Sequence, residues 1–389
     1  MRKISSARSV SLPGYSSEVK DPCSFVCVAN VLVLEPWYQG SHRSWVEGWR
    51  SNSRHTIDVV DGFDSGWRRS LVTAPTRFAE AINETRQPID ALVASTPIDL
   101  ATVFGLVHRS KRRPPTLLYM HESQIGYPPG PKGGQPYRAM INDWNAITSA
   151  DCIAVATQFH ADLLVEQMPG FADGLVHGSG PKIKSVLDSV HVLPVGIDIS
   201  GLRPITLGGP IRVLWNHRWS HDKNPGEFVH AVTILAAEGH EFELYALGEV
   251  EPGGEKAYRR LKSHLADRVL LSGRQTYDIY RQALCRSDVV ISTAQHEFFG
   301  LAVAEAIAAG ARPLLPDRLA YPEIVPDGLS SKFLYRGSFE DSLRLTLAQS
   351  RDEIHRYRQE TMAYVSKFSW RAMAPQYDSL IDEMLAATS

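Results

Sequence analysis

Apolar runs of strand length alternate with stretches of helical spacing along this chain, and after one break the alternation starts again. Residues 25–34, 56–60, 91–94, 117–120, 152–156 and 190–193 read as strands. Between them, a Trp-rich stretch to about Arg50 and residues 69–85, 100–108, 137–148 and 158–167 read as helices. Strand, helix and strand in turn predict a parallel, doubly wound sheet. Residues 199–210 shift to Gly, Pro, Ser and Thr, a linker composition. Beyond them, 211–215, 242–247, 269–271 and 288–292 are predicted strands, and 225–238, 258–266 and 277–284 predicted helices. The expectation is an α/β chain of two doubly wound domains facing a cleft. Its parts are a flexible tail at 1–23, a first domain at 24–203 and a second at 204–366. A helical segment at 367–389 crosses back towards the first domain.

Composition narrows the function. At 389 residues the chain exceeds one ordinary core. With 43% apolar and 22% charged residues it reads as a globular enzyme, not a disordered chain. No apolar run approaches the roughly 18–20 residues of a membrane span, so no membrane partner is expected. Residues 1–17 lack the apolar core of a signal peptide. The four cysteines, Cys23, Cys27, Cys152 and Cys285, complete no zinc set. They read as reduced thiols of a cytoplasmic protein. A formal charge of −2 argues against a chain wrapped in nucleic acid, though a local basic patch stays open.

Four loops follow predicted strands, where α/β proteins bind ligands. The first is Glu35-Pro36-Trp37-Tyr38-Gln39-Gly40-Ser41-His42. Gly40 and Ser41 open a helix there, so backbone can approach a ligand closely. The G-x-G-x-x-G fingerprint is absent, which leaves a nicotinamide enzyme poorly supported. The second is His121-Glu122-Ser123-Gln124. His121 suits a sugar hydroxyl or proton transfer, and equally a settled polar loop. The third is residues 216–225, where Arg218 and Lys223 can neutralise a diphosphate without a metal. His217 and His221 have zinc spacing but no third ligand nearby, so no metal is expected. The fourth is residues 296–306, where Glu297 and Glu305 bracket a turn at Gly300 into an Ala-rich helix. Backbone N–H groups at such a turn suit an anion. The four loops together point to an enzyme that takes a group from an activated, phosphorylated donor.

These residues resemble a known pattern. An Arg-then-Lys pair after the first strand of the second domain, with Glu-x7-Glu later, is similar to the retaining GT-B glycosyltransferases, which have two Rossmann-like domains. Glu35 to His42, His121 to Pro128, His217 to Pro225, and His296 to Gly300 with Tyr321-Pro322-Glu323-Ile324 more closely resemble the tRNA-queuosine α-mannosyltransferase family. The vertebrate members carry a long polar insertion where this chain has a short linker.

The resemblance implies a GDP-mannose donor, queuosine in the anticodon loop of tRNA as acceptor, and no required cofactor or metal. It implies catalytic roles for Glu297, His121, Arg218 and Lys223. Arg218 and Lys223 hold the diphosphate, Glu305 the donor ribose and Glu297 hydroxyls of the sugar. His121 lies near the sugar. Phe298, Phe299, Gly300 and Leu301 offer backbone N–H groups to phosphate, and Gly40 and Ser41 line the donor side. Gly273 and Arg274 sit in the loop that holds the base. The reaction implied retains configuration, the leaving phosphate helping to deprotonate the acceptor.

The acceptor falls to the first domain in this fold. Trp37, Tyr38, His42 and Gln124 are the expected contacts, with the basic run holding Arg109, Lys111, Arg112 and Arg113 for tRNA phosphates. A solvated basic loop is the plainer reading of that run. Two further readings stay open: the same donor chemistry on a glycan, lipid or small-molecule acceptor, and a non-catalytic nucleotide-sugar or RNA-binding protein.

Overall fold

A computed structural model describes residues 28–64, 66–127 and 137–388. The tail expected at 1–23, with Cys23 and Cys27, lies outside the described residues, as does Pro128. Among the described residues, twelve strands form two sheets. The first holds β1 (Asn30–Glu35), β2 (Thr56–Asp61), β3 (Ala91–Ser95), β4 (Thr116–Met120), β5 (Cys152–Val155) and β6 (His191–Val192). The second holds β7 (Ile211–Asn216), β8 (Phe242–Leu247), β9 (Val269–Gly273), β10 (Val289–Ile291), β11 (Arg312–Pro316) and β12 (Leu334–Tyr335). Their orders are β2-β1-β3-β4-β5-β6 and β12-β11-β10-β7-β8-β9, and every pairing is parallel. The central strands β3 and β4 are buried at every residue, as strands covered on both faces must be. The two doubly wound domains expected from the alternation are thus present.

Strands β11 and β12 were not among the predicted ones. Pro313 and Pro316 hide β11, because proline removes a ladder donor and argues against a strand. β12 is two residues long, too short for any pattern.

Six helices matter below: α1 (Gly40–Arg50), α2 (Gln158–Leu175), α3 (Pro225–Ala237), α4 (Tyr277–Arg286), α5 (Leu301–Ala308) and α6 (Trp370–Thr388). One apolar core runs through both domains, from Val33, Trp45 and Tyr119 to Phe299, Val303 and Tyr321. α6 joins it from the second half of the chain through Trp370 and Tyr377. Trp49 Nε1 donates to Asp378 Oδ1 at 2.9 Å, and Trp45 Nε1 to the Tyr377 hydroxyl at 3.1 Å. The Asp378 carboxylate also takes Ser53 Oγ at 2.6 Å and the Arg54 amide at 2.8 Å.

Trp370 occupies a slot between Gly48 and Gly196. A Cβ on Gly48 would meet its ring at 1.9 Å, and one on Gly196 at 2.3 Å. Overpacking of this kind costs about 1–3 kcal/mol. Gly48→Ala is therefore expected to lower the melting temperature by several degrees, read by thermal unfolding, without changing the helical content.

Parallel pairing puts the carboxyl ends of all strands in a sheet at one edge. Glu35 ends β1, His121 follows β4, His217 follows β7 and Ser292 follows β10. The basic run at 108–113 precedes β4 and so sits at the other edge of the first sheet. No helix among the described residues is long and apolar enough to cross a membrane.

Candidate active site

The second-domain wall is built by two loops tied together. Lys223 Nζ donates to the His296 carbonyl at 2.6 Å and pairs with Asp222 Oδ2 at 3.2 Å and Glu297 Oε2 at 3.3 Å. Thr293 Oγ1 donates to the Lys223 carbonyl at 2.9 Å, and the Gln295 amide to the Asp222 carbonyl at 2.7 Å. Burial alone would lower the Lys223 pKa, but Glu297 and Asp222 hold it above the usual lysine value. Burial alone would raise Glu297, but Lys223 and His217 hold its carboxyl below the usual range. The pair is therefore charged on both sides in the folded chain.

Arg218 is half exposed. Its NH1 pairs with Glu251 at 3.0 Å, and its NH2 lies 4.0 Å from Asp222. Burial opposes its charge; Glu251, Asp222 and the first-domain Glu122 restore it and hold the pKa above the usual arginine value. The loop carrying Arg218 is pressed against Gly248, where a Cβ would lie 1.9 Å from the His217 carbonyl oxygen. Gly254 does the same to Trp219, at 1.8 Å from its carbonyl oxygen. Neither glycine was a candidate, although Gly248 directly follows β8, a position the sequence could have flagged.

Gly300 has φ +89°, the left-handed region that glycine enters at least cost. It caps α5 with no side-chain bond, so Leu301 starts the helix with free N–H groups. Phe298 and Phe299 are buried behind that turn. Glu305, one turn on, accepts the Tyr280 hydroxyl at 2.7 Å, and Tyr280 in turn faces Asn216 Nδ2 at 3.4 Å. Burial pushes the Glu305 carboxyl up to about 7, against the lowering hydrogen bond from Tyr280. Tyr280 escaped the sequence reading because it stands in no recognisable motif, and Asn216 opens the third loop without a role of its own there. Gly273 closes β9 at φ +75°. Arg274 is 78% exposed and faces Glu249 at 3.4 Å, so it stands on the rim and not inside.

The first-domain wall has its own buried acid. Glu35 Oε1 accepts the Trp37 amide at 2.8 Å and pairs with His42 Nδ1 at 2.9 Å. Burial opposes the His42 charge, but Glu35 wins and raises its pKa. Gly40, at φ +52°, and Ser41 begin α1 without a side-chain cap. The His121 ring lies 4.3 Å from that of His42 and 4.6 Å from Trp45. Burial drives the His121 pKa well below the usual value, so it is neutral. Asp143 fixes the loop after it, accepting the Gln124 amide at 2.7 Å and Ser123 Oγ at 3.2 Å. The Gln124 side chain turns to Glu122 at 3.3 Å. Trp37 lies edge-on to Phe63 at 5.0 Å, and the Tyr38 hydroxyl bonds Glu47.

The two walls meet. The Tyr127 ring of the first domain lies 4.2 Å from His296 of the second. His160, on α2, stacks on Phe298 at 4.0 Å. Burial lowers His160 to about 3, and His217 and His296 to about 4, so this imidazole group is uncharged at neutral pH. Several buried polar atoms along the seam have no protein partner: Glu35 Oε2, His121 Nε2, both nitrogens of His160, and Nε2 of His217, His221 and His296. Buried polar groups are normally satisfied, so such a concentration marks a surface shaped for a polar ligand. Glu35, His42 and His121 also bring one ligand atom each within 4.8 Å of one another, close enough to hold a metal ion. The 2.9 Å Glu35–His42 pair already satisfies two of the three groups without one.

Thus Glu297, Lys223 and Arg218 are brought together around Asp222 on one wall and His42 and His121 on the other, with His42 near enough to Arg218 for its charge to be felt. The basic run is not. Lys111 Nζ donates to the Thr85 carbonyl at 2.8 Å, and Arg113 pairs with Asp151 at 3.2 Å while its guanidinium covers Phe104 at 4.2 Å. These two cations anchor their own loop around a cavity of about 210 Å³, and only Arg109 and Arg112 are left exposed and free of such bonds. The run stands at the edge away from the cleft, because it enters β4 and does not leave it.

Comparison with known proteins follows the same division. Residues 30–197 match the family described as tRNA-queuosine alpha-mannosyltransferase N-terminal, and 206–363 match glycosyl transferases group 1. A tRNA-queuosine alpha-mannosyltransferase of Drosophila melanogaster is 26% identical over 318 residues, 76% of this chain and 82% of that one. A GDP-mannose:cellobiosyl-diphosphopolyprenol alpha-mannosyltransferase of Xanthomonas campestris is 24% identical over 204 residues, about half of each chain (51% and 53%). Among solved structures, a sucrose-phosphate synthase from Thermosynechococcus elongatus superposes with a TM-score of 0.72 at 15% identity, over 93% of this chain and 100% of that one. A glycosyltransferase from Rickettsia africae gives 0.66 at 14% identity, over 92% and 98%. These structures share the fold, that of the GT-B glycosyltransferases. With both sheets matched in turn, the chain is a two-domain glycosyltransferase that resembles the tRNA-queuosine α-mannosyltransferases.

Proposed function

We propose that this enzyme transfers mannose from GDP-mannose to queuosine in the anticodon loop of tRNA, with retention of configuration and in the cytoplasm. The observation that carries the reading is the Arg218–Lys223–Glu297 cluster, with the uncapped α5 N-terminus after Glu297, faced from the first domain by His42, whose charge Arg218 opposes, and by His121 against His42. The donor diphosphate lies against Arg218, Lys223 and the free N–H groups at Gly300–Leu301, where developing charge is stabilised. Glu297, kept ionised by Lys223, accepts hydroxyls of the sugar. His121, kept neutral by burial, donates to or accepts from the sugar without a competing charge. The acceptor enters from the first-domain lip formed by Trp37, Tyr38, Gln124 and the Glu35–His42 pair. The leaving phosphate takes the acceptor proton. No step requires a metal, and turnover is expected to survive a chelator.

Incubation with labelled GDP-mannose and total tRNA, with and without queuosine, tests this directly. Label only in queuosine-containing tRNA is the expected result; label in neither removes the acceptor. Transfer from a labelled uridine diphosphate sugar in place of GDP-mannose removes the donor.

Glu305 gives the reading a pH signature. Its carboxylate, the form that accepts ribose hydroxyls, is present above about 7 and is lost below it. The KM for the donor is expected to rise about tenfold from pH 8 to pH 6, as the ionised fraction falls. Glu305→Gln should give a weak KM that no longer changes over that range. A wild-type KM that is flat with pH counts against the ribose role.

A further inference from the structure

Glu323 has no role in the site as described, yet it reaches across from one domain to the other. It sits in a short helical turn, Tyr321–Ile324, after β11 of the second domain. Its Oε1 accepts the Phe159 amide at 2.7 Å and its Oε2 the Gln158 amide at 2.9 Å. Those are the first residues of α2, in the first domain, whose opening N–H groups no backbone carbonyl can satisfy. A carboxylate is the favoured partner at that end of a helix dipole. Thr157, the N-cap of α2, makes the return contact. Its Oγ1 donates to the Phe298 carbonyl at 2.8 Å while accepting the His160 amide at 3.2 Å. Phe298 directly follows Glu297, and its ring carries the His160 stack.

The turn that bears Glu323 is also fitted to the Gly300 turn. A Cβ on Gly300 would meet Ile324 at 3.3 Å and Tyr321 at 3.4 Å. The Tyr321 hydroxyl is bonded to Ser292 Oγ at 2.6 Å, at the start of the loop that leads to Glu297. One end of α2 is thus clasped twice, by a side chain beside the Gly300 turn and by the backbone of the Glu297 loop.

We propose that Glu323 is a positioning residue: by clasping the N-terminus of α2 it fixes the Glu297–Gly300 loop against the His121 wall and holds the domains in register for transfer. This rests on the cleft being the site of transfer. The clasp touches neither the Arg218–Lys223 pair nor the Glu305–Tyr280 pair, so it acts on alignment between the domains and not on the grip of the second domain on the nucleotide.

The test uses the full chain with Glu323→Ala, Thr157→Val and the double variant. The readouts are GDP-mannose affinity by calorimetry, kcat and KM for transfer, thermal unfolding, and radius of gyration by X-ray scattering with GDP bound. Each single variant is expected to lower kcat about tenfold or more, with donor affinity within about twofold of wild type. The double variant should fall little further than either single one, since both release the same end of α2. The GDP-bound radius of gyration should increase in all three. Glu323→Gln, with one acceptor oxygen in place of two, should fall between Glu323→Ala and wild type. Unchanged kcat in Glu323→Ala overturns the proposal, as does a kcat loss matched by an equal loss of donor affinity. Fully additive losses in the double variant overturn it too. If Glu323→Ala does not fold, Thr157→Val alone decides, because it keeps the volume of the side chain. If wild type labels no tRNA, the acceptor reading fails, while the scattering comparison still tests the clasp.

Discussion

Replacing Lys223 with alanine is expected to reduce turnover by roughly 10²-fold or more, the range for removing one preorganised stabiliser of developing charge. The structure adds a second expectation. Lys223 is also the counter-ion of a buried carboxylate, Asp222, and a partly buried one, Glu297. Removing one member of a buried pair typically costs about 3–5 kcal/mol of stability, because the partner is left charged and unpaired. Its sign with pH can be worked out. In the wild type the Glu297 pKa is depressed, so its contribution is present above the unfolded value and is lost as pH falls through the folded one. In Lys223→Ala only burial remains, which raises Glu297, and protonation then relieves the unpaired charge. The difference in melting temperature between wild type and variant should therefore narrow from pH 8 to pH 5. Lys223→Arg, which keeps the charge but not the compact ammonium, should recover stability more than turnover. Near-normal transfer by a folded Lys223→Ala protein would sink the diphosphate role.

The second large effect is expected at a residue that touches no substrate. Gly248→Ala places a Cβ 1.9 Å from the His217 carbonyl oxygen, at a φ of +119°. The obstacle is backbone, so it cannot swing aside as a side chain would. Strain at such a φ costs about 1–3 kcal/mol and overpacking about as much again. The loop from His217 to Trp219 must shift, and Arg218 with it. A loss of about 10²-fold in kcat/KM is expected, since small misplacements of charge stabilisers cost that much. The loss should exceed that of Arg218→Lys, in which the loop stays put. Steady-state kinetics beside thermal unfolding separates the two; a fully active, fully stable Gly248→Ala protein would contradict the packing described.

Much of the fold was legible because buried parallel strands are short apolar runs, and the chain has them in order. What failed was local: Pro313 and Pro316 disguised β11, and β12 carried no pattern at all. At the site, Glu297, Arg218, Lys223 and His121 were legible because each stands just past a strand. Their coupling was not, since a pair such as Lys223 with Glu297 is created by strand order β10-β7, which no local pattern records. Tyr280, and a role for Asn216, became visible only through the hydroxyl that Glu305 accepts. The basic run stands apart from the cleft for a readable reason. It stands before β4, and a loop that enters a parallel strand lies at the edge opposite the one that binds ligands.

The helix α6 has a consequence for how the chain is made. Trp45, Trp49 and the slot between Gly48 and Gly196 are lined up for residues that come roughly 180 positions after the first sheet is complete. On a ribosome adding about 5–20 residues per second, the first domain waits on the order of 10–30 s with its tryptophans uncovered. During that interval the first domain is an unfinished body with an open apolar face. The order of synthesis thus makes the first domain the last part of the enzyme to become whole, although it is made first.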